Sequence, residues 1–172
     1  MWTDGFIVNL GSVENEGNLV EPKDLTGWHV DGNFFTHFLD SPEQALLVIP
    51  CWSDVEENAG ATVICTEGPK LIGKLLVIAL CVMFYKPLAD HLQYDHPEGL
   101  NPMMGPRDNR LDIDPNFFKS IVQDSPDDTF FEMTGKKVDV VLMHPLMLHS
   151  ASKNSRRLAR SCIPLLLKKH KS

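Results

Sequence analysis

The fold and the predicted chemistry of this chain depend on one stretch, Gly27-Trp28-His29-Val30-Asp31-Gly32-Asn33-Phe34-Phe35. Side chains two residues apart on a β-strand point to the same face of the sheet. On a strand, His29 and Asp31 would therefore aim an imidazole and a carboxylate at one point, while Val30 faces away. Such a pair supplies two ligands of the two-histidine, one-carboxylate arrangement that holds non-haem Fe(II) and leaves other coordination positions open. The His-x-Asp tripeptide alone is weak evidence for a metal site, because a surface histidine beside an Asp-Gly turn has the same sequence.

The third ligand of such a site must be a histidine far along the chain. The sequence contains seven histidines: His29, His37, His91, His96, His144, His149 and His170. His37 follows Asp31 by six residues, which is roughly 20 Å along a strand at about 3.3 Å per residue and too far to share a metal. Three others lie in a polar middle region or a basic tail and are expected to be solvated: His91, His96 and His170.

His144 and His149 are therefore the candidates for the third ligand. Both follow the apolar run at residues 138–143, which is predicted to be a strand. They are five residues apart, so a regular strand would point them to opposite faces and only one can bind the metal. His149 is favoured because the strand is expected to open into a loop at residues 150–152, where sites tend to lie. His144 is then expected to be a packed histidine or an outer-shell partner.

Size and charge restrict the class of protein. The 172 residues fit a single domain, 43% of them are hydrophobic and 23% are charged, as in ordinary globular proteins. With 16 basic and 23 acidic residues, the net charge of −7 argues against nucleic acid as the main partner. The N-terminus lacks the layout of a signal peptide, and His170-Lys171-Ser172 differs from the Ser-Lys-Leu peroxisomal signal. A cytoplasmic location is expected.

The cysteines give no sign of a zinc site. Cys51, Cys65, Cys81 and Cys162 are far apart and include no Cys-x-x-Cys pair. The first three lie in apolar runs, and they are expected to be buried thiols in a reducing compartment.

Short apolar segments separated by Gly, Pro and Asp turns predict a mainly β domain, a sandwich or a barrel. The predicted strands cover residues 6–10, a segment through His29 and Asp31 to about residue 38, and residues 45–52, 61–65, 130–133, 138–143 and 159–167. The segment 45–52 is expected to be buried, because its apolar run is continuous. Residues 95–128 are rich in Pro, Asp and Asn and predict a long loop, with a short helix near residues 116–122.

The middle of the chain breaks this pattern. Residues 75–85 carry no charge but are too few to span a bilayer, which takes about 20 residues. A buried helix or strand is the simple interpretation. However, residues 86–92 form an amphipathic pattern that would continue naturally from residues 69–72. Residues from about 73 to 85 are therefore interpreted as an insertion, and our hypothesis is a retained intron, which a spliced transcript encoding them as its only form would contradict.

Three segments together resemble a known family. They are Trp28-His29-Val30-Asp31-Gly32, then Gly60-Ala61-Thr62, then the run from Asp139 to Asn154 that contains His149-Ser150-Ala151-Ser152-Lys153-Asn154. In this order they resemble the phytanoyl-CoA dioxygenase-like branch of the Fe(II)/2-oxoglutarate oxygenases, over about residues 5–163 without the apolar segment. The resemblance implies a double-stranded β-helix, a jelly-roll or cupin-like fold, here with a helical and loop insertion in its middle. Since the first predicted strand begins near residue 5, the family's usual helices before that strand are expected to be absent from this chain.

The resemblance also implies a ligand set. Fe(II) would be held by His29, Asp31 and His149. The far carboxylate of 2-oxoglutarate would pair with Arg160, which lies eleven residues after His149 on the last predicted strand. Arginine suits this task because its planar fork binds a carboxylate through two hydrogen bonds and stays charged. Arg157 remains the competitor, and Arg156 is expected to be solvated.

The implied activity is that of a dioxygenase. It would use dioxygen and convert 2-oxoglutarate into succinate and CO2 while oxidising a C–H bond of a small organic substrate, such as a lipid, an acyl-CoA or a secondary metabolite. Phe34, Phe35, Trp52 and residues 95–128 are candidates to line or cover the substrate pocket, with ordinary core packing as the alternative for the aromatic residues. The alternative functions are a catalytically silent or truncated relative that acts as a binding module, and a cupin-like enzyme that uses another metal.

Overall fold

The protein is described by a computed structural model, which covers residues 5–31, 46–85, 116–156 and 160–165. Side chains are described for these ranges except at residues 5–7, 78–85 and 160–165. Several predictions fall outside these residues: the strand beyond Asp31, the amphipathic segment 86–92 and most of the long loop.

Antiparallel strands and two α-helices make up the regular structure of the described residues. In chain order the elements are β1 Gly5–Leu10, β2 Leu47–Pro50, β3 Thr62–Cys65, α1 Gly68–Tyr85, α2 Phe117–Gln123, β4 Phe130–Glu132, β5 Val140–Met143, β6 Leu148–Ala151 and β7 Arg160–Leu165. Short 3-10 turns lie at Val13–Asn15, Pro22–Asp24 and Asp127–Thr129. This composition is mixed and compatible with a mainly β domain, while the jelly-roll topology stays a prediction.

The strands pair in three antiparallel groups: β1 with β7, β2 with β5, and β4–β3–β6. In the last group β3 is central, and Ile64 of β3 lies opposite His149 of β6. The described sheets are built from strands distant in sequence, as in β2 and β5, where Leu47 lies opposite Met143. Non-local pairing of this kind brings late residues of the chain beside early ones.

The main hydrophobic core lies under the β4–β3–β6 sheet, between its inner face and both helices. Its buried members are Leu25, Trp28, Val30, Val63, Cys65, Ile72, Leu76, Phe117, Phe118, Val122, Leu146 and Leu148. Ile72 and Leu76 are one helical turn apart and so present one apolar stripe of α1 to this core. Gly68 starts α1 against β6, where a Cβ would lie only 2.5 Å from the backbone nitrogen of Leu148. A side chain at this position would push the helix off the sheet.

Most strands predicted from apolar runs are confirmed within a few residues, and so is the short helix near residue 117. Two details were wrong. The segment around β2 is only partly buried, with Leu46 59% and Val48 39% exposed, so its continuous apolar run does not reflect burial on both faces. Residues 148–151 form a strand of their own, whereas the sequence predicts a loop that opens at residues 150–152.

Residues 68–85 form one unbroken helix, so the predicted boundary near Gly73 does not coincide with any break in structure. The insertion hypothesis stays a prediction. Within the described part of the chain, no helix has both the length and the apolar character needed to cross a membrane. Cys51 and Cys65 are buried free thiols, as expected.

Candidate metal centre

The first arm of the site, residues 27–31, is held by the side chains that alternate with its polar ones. Trp28 and Val30 are 3% and 1% exposed and belong to the core, whereas His29 and Asp31 point away from it. The indole nitrogen of Trp28 donates a hydrogen bond to the carbonyl of Pro22 at 3.0 Å, and its ring packs edge-on against Phe130. The predicted alternation is confirmed, although the described residues of the arm make one isolated β-bridge at His29 and no longer strand.

The second arm is strand β6, which carries His149. Leu148 and Ser150, on either side of it, are fully buried at 0% exposure. A turn separates β6 from β5, since the backbone nitrogen of Met147 donates to the carbonyl of His144 at 2.9 Å. The alternation of side chains therefore restarts after this turn. His149 lies inside a strand, and the reason first given for preferring it, a strand opening into a loop, was wrong.

His29 and His149 face each other across a single antiparallel bridge. The backbone nitrogen of each donates to the carbonyl of the other, at 2.9 and 3.0 Å. Residues that exchange both bonds in an antiparallel pair carry their side chains on the same face. The two imidazole rings accordingly lie side by side, with centroids 4.2 Å apart and planes tilted by 52°.

Asp31 completes a cluster of three donor atoms. One of its carboxylate oxygens lies 3.4 Å from Nε2 of His149 and 3.7 Å from Nε2 of His29. All the donor atoms lie within 4.8 Å of one another. A metal bound at about 2.1 Å to each of three donors separates them by roughly 3 to 3.5 Å. The cluster therefore has nearly the size that a shared ion requires.

Backbone carbonyls orient both imidazoles. Nδ1 of His29 lies 2.7 Å from the carbonyl oxygen of Gly27, and Nδ1 of His149 lies 2.9 Å from that of Met147. A carbonyl only accepts hydrogen bonds, so in each neutral ring Nδ1 carries the proton and Nε2 keeps its lone pair. Histidines that bind a metal usually donate their other ring N–H to an acceptor in this way. Sequence reasoning missed these two carbonyls, whose one signal is their position two residues before each histidine.

The electrostatics favour the protonation states that a metal needs. Burial, followed by the neighbouring His149, lowers the pKa of His29, against the opposing effects of the Gly27 carbonyl and Asp31. Burial acts to raise the pKa of Asp31, but His149 and then His29, which favour the ionised carboxylate whenever their Nε2 atoms carry a proton, outweigh it, and the net shift is downward. At neutral pH the cluster thus holds a neutral His29 and an ionised Asp31, the forms that bind metal.

Access to the cluster is uneven. The side chains of His29 and Asp31 are 41% and 42% exposed, while that of His149 is 10% exposed. His149 therefore forms the inner wall of the cluster, and the other two residues form its outer side.

Other candidate residues have different surroundings. His144 is exposed and its Nδ1 accepts a hydrogen bond from the backbone nitrogen of Leu146 at 3.0 Å, so it stabilises a turn and is neither packed nor an outer-shell partner. Trp52 is 55% exposed. Arg156 forms a surface ion pair with Glu56, in line with its expected exposure. Arg160 starts β7 opposite Leu10, and its side chain lies outside the described residues.

The remaining candidates also lie outside the described residues: Phe34, Phe35, His37, His91, His96, Arg157 and His170.

Two of the segments that carry the family resemblance meet beside β1. Gly60 has a left-handed backbone with φ +79°, and a Cβ there would lie 2.2 Å from the amide nitrogen of Asn9. That amide donates to the carbonyl of Gly60 at 3.0 Å, and the amide of Asn154 donates to the carbonyl of Asn9 at 3.0 Å. Glycine and asparagine at these positions therefore fasten β1 to the segment after β6.

A scan against models of known protein families found no match, and a search of curated proteins found no similar sequence. What the chain does is therefore inferred from its own side chains.

Proposed function

We propose that this chain is an Fe(II)/2-oxoglutarate-dependent dioxygenase of the phytanoyl-CoA dioxygenase-like type, acting on a small organic substrate. One observation carries the proposal. Two imidazole nitrogens and one carboxylate oxygen, from segments 118 residues apart, lie within 4.8 Å of one another. Each imidazole is held by a carbonyl in the tautomer that leaves Nε2 free to bind a metal.

The donor set fits the implied metal. Imidazole nitrogen and carboxylate oxygen without thiolate suit Fe(II), and three protein donors leave positions open for other ligands. His29, Asp31 and His149 would hold the ion. Asp31 is ionised and would offset one of its two positive charges.

With Fe(II) and 2-oxoglutarate bound, the centre would activate dioxygen, the oxidant: one oxygen atom would enter a C–H bond of the substrate and the other would enter succinate, with release of CO2. The chain's own residues bind and orient. The carbonyls of Gly27 and Met147 prevent the rings from rotating, and buried Trp28 and Val30 anchor the first arm. These contacts keep the donors in place before any ligand arrives, which is how a protein pre-organises such a centre.

Arg160 is our proposed partner for the far carboxylate of 2-oxoglutarate. Its backbone faces Leu10 in the β1–β7 pair, and the neighbouring Asn9 donates to the carbonyl of Ser152 at 3.2 Å. The start of β7 is thus near Ser152, which directly follows β6 and lies three residues past His149. Arg160→Gln should raise the 2-oxoglutarate concentration needed for half-maximal turnover, whereas Arg157→Gln serves as the matched control and should leave it unchanged.

The test of the function is succinate formation from 2-oxoglutarate by the purified chain with Fe(II) and oxygen. His149→Asn retains an N–H that can donate to Met147 but lacks Nε2, so it should lower turnover by about 100-fold or more, beyond the loss typical of an outer-shell partner. His144→Asn is the matched control, because its amide oxygen replaces the exposed Nδ1 acceptor. It should retain turnover.

A second measurement tests the function without the organic substrate. Under anaerobic conditions, adding 2-oxoglutarate to the Fe(II)-loaded chain should produce a visible charge-transfer absorption, and adding it to the Zn(II)-loaded chain should not. A chain that binds Fe(II) tightly but shows neither this absorption nor succinate formation is a metal-binding module or an enzyme of another class.

A further inference from the structure

The two arms also approach each other closely at a second place besides the histidine bridge. A Cβ placed on Gly27 would lie 3.1 Å from the hydroxyl oxygen of Ser150, and no other atom outside its chain neighbours comes within 4 Å of it. This separation is tighter than ordinary van der Waals contact. Ser150 has little space to yield, since it is fully buried at 0% exposure. A side chain added at residue 27 would therefore have to displace either the first arm or Ser150 by a few tenths of an ångström, although the backbone of Gly27 is not in the left-handed region.

Gly27 and Ser150 both lie next to the proposed metal-binding side chains. Gly27 precedes His29 by two residues, and its carbonyl accepts the hydrogen bond that orients the His29 ring. Ser150 directly follows His149 in β6. The first arm has one β-bridge to β6, and its other attachments are the buried side chains of Trp28 and Val30, which lie on the opposite face from His29. Any displacement of residue 27 would move the His29 backbone and the acceptor of its ring together.

We infer that Gly27 is a positioning residue: because it has no side chain, the first arm can approach buried Ser150 of β6 closely enough to bring the Nε2 atoms of His29 and His149 to the spacing that a metal ion requires. The inference rests on the proposed metal site but concerns residues outside the ligand set. It assigns a purpose to the small size of both residues: hydrogen at one position and a single hydroxymethyl group at the other.

The experiment is a double-variant cycle read by metal binding. Gly27→Ala, Ser150→Ala and the combination are titrated with Co²⁺ and with Zn²⁺ in competition with a chromogenic chelator. Gly27→Ala should weaken both affinities by about 10-fold, the lower end of what loss of an outer-shell partner costs. Ser150→Ala should have little effect. The combined variant should recover most of the loss, because removing the hydroxyl makes room for the new methyl group.

The Co²⁺ absorption spectrum separates positioning from general stability. Gly27→Ala should shift the spectrum and the combined variant should restore it, while a purely structural role would change only the urea unfolding midpoint. If Gly27→Ala does not fold, the combined variant must fold and bind Co²⁺, and its failure to do so overturns the inference.

Two further outcomes would overturn the inference: Gly27→Ala binding as tightly as the wild type, or the combined variant binding no better than Gly27→Ala. A different result bears on the proposed function. If the wild type and His149→Asn bind Co²⁺ equally weakly, the metal site itself is rejected.

Discussion

The two histidines of the cluster are held in unequal ways. His149 lies within β6, paired on one side with Ile64 of β3 and on the other with His29, and its side chain is 10% exposed. His29 has one bridge, and its side chain is 41% exposed. The second arm is therefore part of the folded framework, whereas the first arm is attached to it by Trp28, Val30 and a single pair of backbone bonds. Fold stability and site integrity should respond differently to changes in each arm.

The largest expected effect comes from replacing each histidine by asparagine, which can keep the hydrogen bond to its carbonyl and lacks Nε2. His29→Asn and His149→Asn should each lower Zn²⁺ affinity by about 100-fold or more, since each removes a ligand rather than an outer-shell partner. Chelator competition measures this. Without metal, urea unfolding should show a larger loss for His149→Asn than for His29→Asn, because the side chain of His149 is 10% exposed and that of His29 is 41% exposed. Equal losses of stability would contradict the inequality of the arms.

The second prediction compares one change in chemistry at two places. Val30 anchors the first arm and Val63 lies in β3 beside the second, and they are 1% and 6% exposed. Replacing either by alanine should cost roughly 1.5 to 3 kcal/mol of stability, from lost burial and the cavity left behind. Val30→Ala should also weaken Zn²⁺ binding, because the first arm has few other attachments. Val63→Ala is the matched control, and an equal weakening there would show that both arms depend on the framework alike.

The third prediction is a pH dependence of the metal-free protein. Burial and the neighbouring His149 lower the pKa of His29, so the unfolded chain, with an ordinary histidine pKa of about 6.5, binds a proton at higher pH than the folded chain. Stability rises with pH wherever the unfolded state binds more protons. The free energy of unfolding should therefore fall as the pH drops from about 7 to 5.

Unfolding by urea across this range measures that effect, and His29→Asn should give a flatter profile. Asp31, whose pKa is also lowered, adds its own loss only below about pH 4. An unchanged slope in His29→Asn would assign the pH dependence to other groups.

The smallest expected effect concerns the turn that leads into the first arm. Lys23 pairs with Asp127 at 2.8 Å, but Asp127 is 91% exposed. Pairs of this kind contribute less than about 1 kcal/mol and are screened by salt. Lys23→Ala should therefore shift the urea midpoint only slightly and leave Zn²⁺ affinity unchanged. A large loss of affinity would mean that the first arm is positioned from its N-terminal side as well as by the core.

What could be predicted from the sequence was local. The apolar runs of β1, β3 and β5 predicted strands. The spacing of His29 and Asp31 predicted that their side chains share a face, because the alternation of side chains along extended backbone is a local property. β6 was missed because it is short, carries a histidine and a serine, and is a strand only through its pairing with β3. Such pairing is non-local and leaves no periodic pattern in the segment itself.

Choosing between His144 and His149 shows the same limit. The turn at Pro145 and Leu146 resets the alternation between them, so a count along one strand cannot decide. The close approach of Gly27 to Ser150 could not be predicted either. A glycine before a strand suggests a turn, yet the backbone of Gly27 is not in the left-handed region that would require glycine. The small size of Gly27 is explained only by the register that pairs the first arm with β6.

That register has one more consequence, for how the chain reaches its native pairing. A slip of one residue between the first arm and β6 would set Leu148 or Ser150 opposite His29 and turn His149 to the other side. An ion that needs both imidazoles would bind one alignment alone and would add about 2.7 kcal/mol to it at a concentration 100 times the dissociation constant. Metal binding would then select the native register, because chains in which this segment pairs in a shifted register would not be stabilised by the ion.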